Sequence, residues 1–299
     1  VAEVTRWVSL ATDANPHYAV YAPIVTRIWK QLGYKPVLFV HNQGWDTAFG
    51  QFVRENLPDD VPVIETPRLD PMSVGNTMRM IRLAACACSF IESNDLIITS
   101  DIDMAPLSRT FFDRQGPAFI LRVDAYGPLE GATQLLDGDK GIACLAGLFR
   151  FPMCYVGLER DIWRDITPYR PAVEGNPIEL ARRILHGCRG DQHDYDEQFV
   201  SARTLLSRWA AGSLVQMDGR WRQGELEMVG STDWPGGWPL GMIIGGTPHR
   251  PAGSLPIDFH MPKPSNRATG GVLGQHWPEE GKFLEHYWFR AIELAGFSG

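Results

Sequence analysis

Asp101 and Asp103 stand two residues apart, directly after the apolar run Asp95–Ser100 (DLIITS). On an extended segment, side chains at i and i+2 point the same way, so both carboxylates can face one ligand. Hard oxygens of this kind suit Mg²⁺ or Mn²⁺, and such a cation neutralises a diphosphate. Arg79 and Arg82 lie three apart on one face of a predicted helix, and their planar forks suit phosphate oxygens. A second cluster, Gly190-Asp191-Gln192-His193-Asp194-Tyr195-Asp196-Glu197-Gln198, holds four carboxylates in seven residues. Asp196 reads as the N-cap of the helix that follows. The remaining acids exceed what capping requires. Asp191, Asp196 and Glu197 are the candidates for a catalytic acid or base, and the sequence does not separate them.

The elements that must hold these groups alternate along the first third of the chain. Strands are predicted over Arg6–Ala11, Lys35–His41, Val61–Glu65 and Asp95–Ser100. Helices are predicted over Tyr18–Leu32, Thr47–Asn56 and Asn76–Ser93. This order implies an α/β fold with a mixed, mainly parallel sheet flanked by helices. Ligands of such sheets bind at the carboxyl ends of the strands, just after Ala11 and Ser100. Further strands are expected over Ala118–Val123 and Gly147–Pro152, and helices over Leu158–Ile166, Pro177–His186 and Asp196–Ala211. Residues 230–256 are rich in Gly and Pro, carry Trp234 and Trp238, and read as a lid. A strand over Ile257–Met261 and a helix over Glu279–Ala295 complete the chain. We read residues 1–299 as one catalytic domain. It comprises a nucleotide-binding half (1–115), an acceptor half (116–270) and a C-terminal helix (271–299).

Composition narrows the class. The 299 residues carry a formal charge of −7, with 44% hydrophobic and 21% charged residues, which permits a full core. No apolar run approaches the roughly 18 residues of a membrane span, and no signal peptide is read at the N-terminus. Five cysteines without metal-ligand spacing suit a reducing cytoplasm. The net acidity disfavours a duplex nucleic-acid partner. A P-loop, a G-x-G-x-x-G fingerprint and a G-x-S-x-G elbow are all absent.

In the order of its motifs the chain resembles the GT-A-fold glycosyltransferases, in particular glycogenin-like transferases and the chlorovirus rhamnosyltransferase domain. Leu10-Ala11-Thr12-Asp13 followed by Tyr18 is similar to their first-strand loop, which holds the nucleoside. Arg82-Leu83 matches a basic residue facing the donor, and Asp101-Ile102-Asp103 matches the D-x-D metal motif. Phe259-His260-Met261-Pro262-Lys263-Pro264 is similar to the late H-x-x-G-x-x-K-P element. It departs from that pattern in lacking the Gly and in setting His260 and Lys263 only three apart.

The resemblance implies a transferase that moves a sugar from a nucleotide diphosphate, a UDP-sugar in the first instance, to the hydroxyl of a glycan, glycoconjugate or other acceptor. Asp103 and His260 would hold Mn²⁺ or Mg²⁺, with Asp101 bridging metal and ribose. Imidazole is an acceptable Mn²⁺ ligand on chemical grounds alone. Asp258, two residues before His260, is a weaker ligand candidate. Thr12, Asp13 and Tyr18 would hold the nucleoside, Arg79, Arg82 and Lys263 the phosphates, and an acid among Asp191, Asp196 and Glu197 would face the acceptor. Met153-Cys154-Tyr155-Val156-Gly157 stands where the family has N-S-G-V, so a different donor sugar is expected. Two other readings are a nucleotidyltransferase and a non-catalytic nucleotide-sugar or carbohydrate-binding module. The first strand is followed by ATDANPHY rather than a basic Gly-rich loop, which speaks against the former.

Overall fold

The computed structural model describes residues 4–107, 112, 118–120, 153–188, 190–191, 193–206, 215–217, 220–223, 226–229, 243–244, 247–248, 258–260 and 277–296. In chain order its N-terminal elements are β1 (Arg6–Thr12), α1 (Pro16–Ala19), α2 (Ala22–Gln31), β2 (Lys35–His41), α3 (Ala48–Glu55), β3 (Val63–Thr66), α4 (Val74–Ile81), β4 (Leu96–Thr99), β5 (Met104–Pro106) and β6 (Ala118–Ile120). Then come β7 (Val156–Glu159), α5 (Arg160–Ile166), α6 (Pro177–Ile184) and α7 (Tyr195–Leu206). The last are β8 (Val215–Met217), β9 (Arg220–Gln223), β10 (Leu226–Val229), β11 (Ile243–Ile244), β12 (Thr247–Pro248), β13 (Asp258–His260) and α8 (Pro278–Leu294). The chain divides into two compact units built from interleaved segments. One holds Val1–Ser9, Arg68–Ser100 and Gln115–Trp234; the other holds Leu10–Pro67, Asp101–Arg114 and Pro235–Gly299.

In the first unit, β1 runs parallel to β4, with Arg6 opposite Leu96 and Ser9 opposite Thr99. Beyond β4 the strand order continues β7-β6-β10-β9-β8. These pairs are antiparallel except β6 with β10, so the parallel character belongs to the N-terminal strands. All four residues of β4 are buried, as expected of a strand covered on both faces. Asp95 sets the β1–β4 register. Its buried carboxylate accepts from the backbone N–H groups of Thr5 (3.1 Å) and Glu92 (2.9 Å) and from the Trp7 indole (2.9 Å). From α5, the indole of Trp163 donates to the carbonyl of Ile97 (2.9 Å), which seats that helix on β4.

In the second unit, β2 and β3 run parallel, from Leu38 opposite Val63 to His41 opposite Thr66. Asn15 caps α1 and Thr47 caps α3 through their side-chain oxygens. Gly33, at φ +85°, ends α2 in the left-handed turn that a side chain resists. Helix α8 lays Tyr287 between the rings of Phe52 and Phe283, with centroids 5.4 and 5.2 Å away. No described helix is long and apolar enough to cross a membrane.

Several expectations shift. The helix predicted over Tyr18–Leu32 divides into α1 and α2. Pro23 has no N–H to give to a continuous helix, and it occupies the first turn of α2, where none is needed. The helix predicted over Asn76–Ser93 begins earlier, at Val74, and tightens into a 3-10 helix over Arg82–Ala87. Leu158 and Glu159 belong to β7, not to the helix after them: paired with β4, they complete the sheet before α5 begins. Asp194, not Asp196, stands immediately before α7. Short strands β5 and β8–β10 carry too few residues for a periodic signal. The strand expected over Gly147–Pro152 lies outside the described residues. So does the lid over 230–256, except for β11 and β12, where Ile243 pairs with Pro248 and Ile244 with Thr247.

Candidate active site

The candidate metal motif sits in the second unit as a turn rather than the extended segment expected. The Met104 N–H donates to the Asp101 carbonyl at 3.3 Å and closes it. Ile102 is buried, while Asp101 and Asp103 on either side are part-exposed. The buried apolar residue thus anchors the turn between two part-exposed acidic residues. From Met104 the chain enters β5, which pairs antiparallel with β13. Met104 stands opposite His260, Ala105 opposite Phe259 and Pro106 opposite Asp258. This ladder brings residue 260 to the register position beside Asp103. Lys263, Trp234 and Trp238 lie outside the described residues. Among the described residues no three His, Cys, Asp or Glu side chains gather as a ready metal site.

The loop after β1 is built by its own polar groups. The Thr12 hydroxyl donates to the Asp13 carbonyl (3.0 Å), the Asp13 carboxylate accepts from the Asn15 N–H (3.1 Å), and Asn15 accepts from the His17 N–H (3.1 Å). This chain of short-range bonds is the Asx type, which sets a turn without help from the core. Gly44, at φ +86°, lies against the loop; a Cβ there would come within 2.8 Å of the Ala14 Cβ. Tyr18 is half-buried, and Tyr21 is buried behind it. Burial pushes the Tyr21 hydroxyl well above the ordinary tyrosine range, and the charges of Asp103 and Tyr18 add to the shift. In the sequence, the spacing of Tyr21 from Val25 and Ile28 marks it only as core.

In the first unit, the acidic segment meets α4. Arg82 is 4% exposed. It donates through Nη1 to the Ser100 carbonyl (2.9 Å), through Nε to the Arg79 carbonyl (3.2 Å) and through Nη2 to Asp196 Oδ2 (3.3 Å). The guanidinium therefore braces the residue that precedes Asp101 in the chain. Asp196 lies in the first turn of α7, where the helix dipole favours a carboxylate. Asp191 is exposed; its Oδ1 accepts from the Ser73 N–H (2.8 Å) and from the Asn76 amide (2.7 Å). These two bonds, the Ser73 N–H first, hold its carboxyl below the ordinary carboxylate range. Arg79 Nη1 donates to the His193 carbonyl (2.9 Å). Glu197 is half-buried one residue beyond Asp196. In the sequence, the only signal of Ser73 and Asn76 is that they stand with Arg79 and Arg82 at every third position of the segment.

No family model matches the chain, and no curated protein matches it. Solved structures do. The chain is similar to the galactosyltransferase LgtC in complex with donor and acceptor sugar analogs. That likeness has 14% identity, covers 98% of this chain and 95% of that one, and has a TM-score of 0.46. It is similar to the glycosyltransferase GlyE of Streptococcus pneumoniae TIGR4 at 14% identity, with 96% and 64% covered and a TM-score of 0.39. It is also similar to core-mannan synthase A of Aspergillus fumigatus in its Mn/GDP form, at 8% identity, with 67% and 70% covered and a TM-score of 0.34.

Proposed function

We propose that the chain is a metal-dependent glycosyltransferase of the GT-A kind, acting as one catalytic unit over residues 1–299 on a nucleotide-sugar donor and an acceptor hydroxyl. The observation that carries the reading is the β5–β13 ladder. It joins the D-x-D turn to the late element and puts His260 in register beside Asp103, although the two are far apart in sequence. Two carboxylates and an imidazole form a donor set that fits Mn²⁺ or Mg²⁺. Asp101, Asp103 and His260 would hold the ion. When bound, it would offset the diphosphate charge as the nucleotide leaves.

The other roles fall to residues of this chain. The Thr12–Asp13 turn and Tyr18 bind the nucleoside, a uridine in the first instance, and Lys263 pairs with phosphate. Arg82 holds the Ser100 carbonyl, at the end of the strand that leads into the D-x-D turn. At the start of α7, Asp196 pairs with buried Arg82, and the half-buried Glu197 beside it would face the acceptor, to take the hydroxyl proton or stabilise positive charge on the sugar. The buried thiols of Cys86 and Cys88 fit a reducing compartment, the cytoplasm.

A thermal-shift screen of nucleoside diphosphates and nucleotide sugars, with and without Mn²⁺, tests the reading. A ligand of the native state raises its apparent stability. The expected result is a shift that needs nucleotide and cation together. Undiminished nucleotide binding and sugar transfer in excess chelator would reject it.

A further inference from the structure

Four residues of α4 and its immediate flanks, Ser73, Asn76, Arg79 and Arg82, recur at every third position, so each neighbours the next in a row that winds along the helix. Each is bonded to the acidic segment, and in the same order along it: Ser73 and Asn76 to Asp191, Arg79 to the His193 carbonyl, Arg82 to Asp196. Both bonds at Asp191 land on one oxygen, Oδ1. Two of the four contacts use the segment's side chains near its start, one its backbone, and one its side chain at the opening of α7. This is the pattern of a seam rather than of a ligand pocket.

We propose that Asp191 and Arg79 are positioning residues: they fasten the segment before α7 to the side of α4 and so fix where Asp196 and Glu197 stand. The inference rests on the transferase reading and narrows it. Asp191 leaves the group of candidate acids, and Arg79 leaves the group of phosphate ligands. The chemistry agrees with the geometry. The same two donors hold the Asp191 carboxyl below the ordinary range, which makes it a poor base and a firm hydrogen-bond acceptor. A carboxylate exposed at a helix N-terminus also complements the dipole of α4.

The seam makes a distinctive demand of substitutions. Asparagine keeps an oxygen at the Oδ1 position and can accept from both Ser73 and Asn76; alanine cannot. Since Asp191 is exposed, neither change disturbs the core. The test compares Asp191→Asn, Asp191→Ala and Arg79→Ala for sugar transfer and for hydrogen exchange at the amides of residues 193–197. With Asp191→Ala and Arg79→Ala we expect faster exchange there and a kcat lower by about tenfold, with the donor KM unchanged, as small displacements of a reacting group produce. With Asp191→Asn we expect both readouts to stay near native. A reacting acid at 191 would instead lose about a hundredfold or more in both of its variants. Equal losses in the Asn and Ala variants overturn the proposal, as does an Ala variant with unchanged exchange or unchanged kcat. If the native protein transfers no sugar, the transferase reading fails, and the exchange comparison alone decides whether the seam holds the segment.

Discussion

The Arg82 guanidinium and the Asp196 carboxylate form an ion pair at 3.3 Å in which each side chain is only 4% exposed. A pair so deeply buried gives up hydration on both sides, and two further donors of Arg82, bonded to the carbonyls of Ser100 and Arg79, offset part of that cost. It joins the end of β4, the start of the 3-10 turn after α4 and the first turn of α7.

Removing one partner leaves a buried charge alone. Arg82→Ala is expected to cost about 3–5 kcal/mol of folding stability, read by urea denaturation. Arg82→Met together with Asp196→Leu removes both charges and should recover part of that loss. A single variant within about 0.5 kcal/mol of native would mean that the pair does not brace the fold.

The D-x-D turn has a metal-specific prediction. At a hundredfold excess of Mn²⁺-nucleotide over its Kd, the native protein should gain about 2.7 kcal/mol, a rise in Tm of several degrees. Asp103→Asn should abolish the Mn²⁺-dependent part, and His260→Ala should reduce it. Full retention of the shift in both variants would place the ion elsewhere.

Tyr287 gives a test of the C-terminal helix. Its ring is 2% exposed between Phe52 and Phe283, and its hydroxyl has no hydrogen-bond partner among the described residues. Tyr287→Phe keeps the stack and deletes a buried polar atom, so stability should hold or rise by about 1 kcal/mol. Tyr287→Ala should lose about 3–5 kcal/mol. Chemical denaturation reads both, and a Phe variant as unstable as the Ala variant would mean that the hydroxyl is bonded.

Acid should weaken the first unit through Glu174. Burial opposes its ionisation, but the Tyr169 hydroxyl and the guanidinium groups of Arg160 and Arg164 outweigh it and hold the carboxyl below the ordinary range. A depressed folded value means that the group stabilises the fold above its unfolded pKa of about 4.3. That contribution is lost as pH falls through the folded value. Glu174→Gln should therefore show a shallower fall of Tm between about pH 5 and pH 2 than the native protein. Parallel curves would show that the cluster contributes nothing to acid sensitivity.

Much of the fold was legible because the N-terminal strands are apolar runs closed by turn residues. Asp95–Ser100 reads as a buried strand from its residue types alone, and β4 occupies its centre. Local signals erred where two helical pieces are joined by residues that also suit a helix. Tyr21 and Pro23 lie within a single apolar period, yet the proline begins a new helix. Arg79 and Arg82 carried a signal of position without a signal of partner. Spacing of three puts both on one side of α4, but it cannot say whether that side meets phosphate or chain. The structure turns Arg79 to a backbone carbonyl and buries Arg82 against Asp196.

Local residue pattern is enough to give the carboxylate pair after a buried strand, the arginines three apart on one helix, the acid-rich stretch before α7 and the alternating order of the first elements. These are properties of residues close together in the chain, where backbone periodicity dictates which side chains can act together. It takes the folded chain to show that Asp101–Met104 closes as a turn, that His260 comes into register beside Asp103, and that Asp191 bonds Ser73 and Asn76. Such contacts depend on pairing between distant segments, whose free energy comes from burial and strand register across the whole fold and leaves no local periodicity to read.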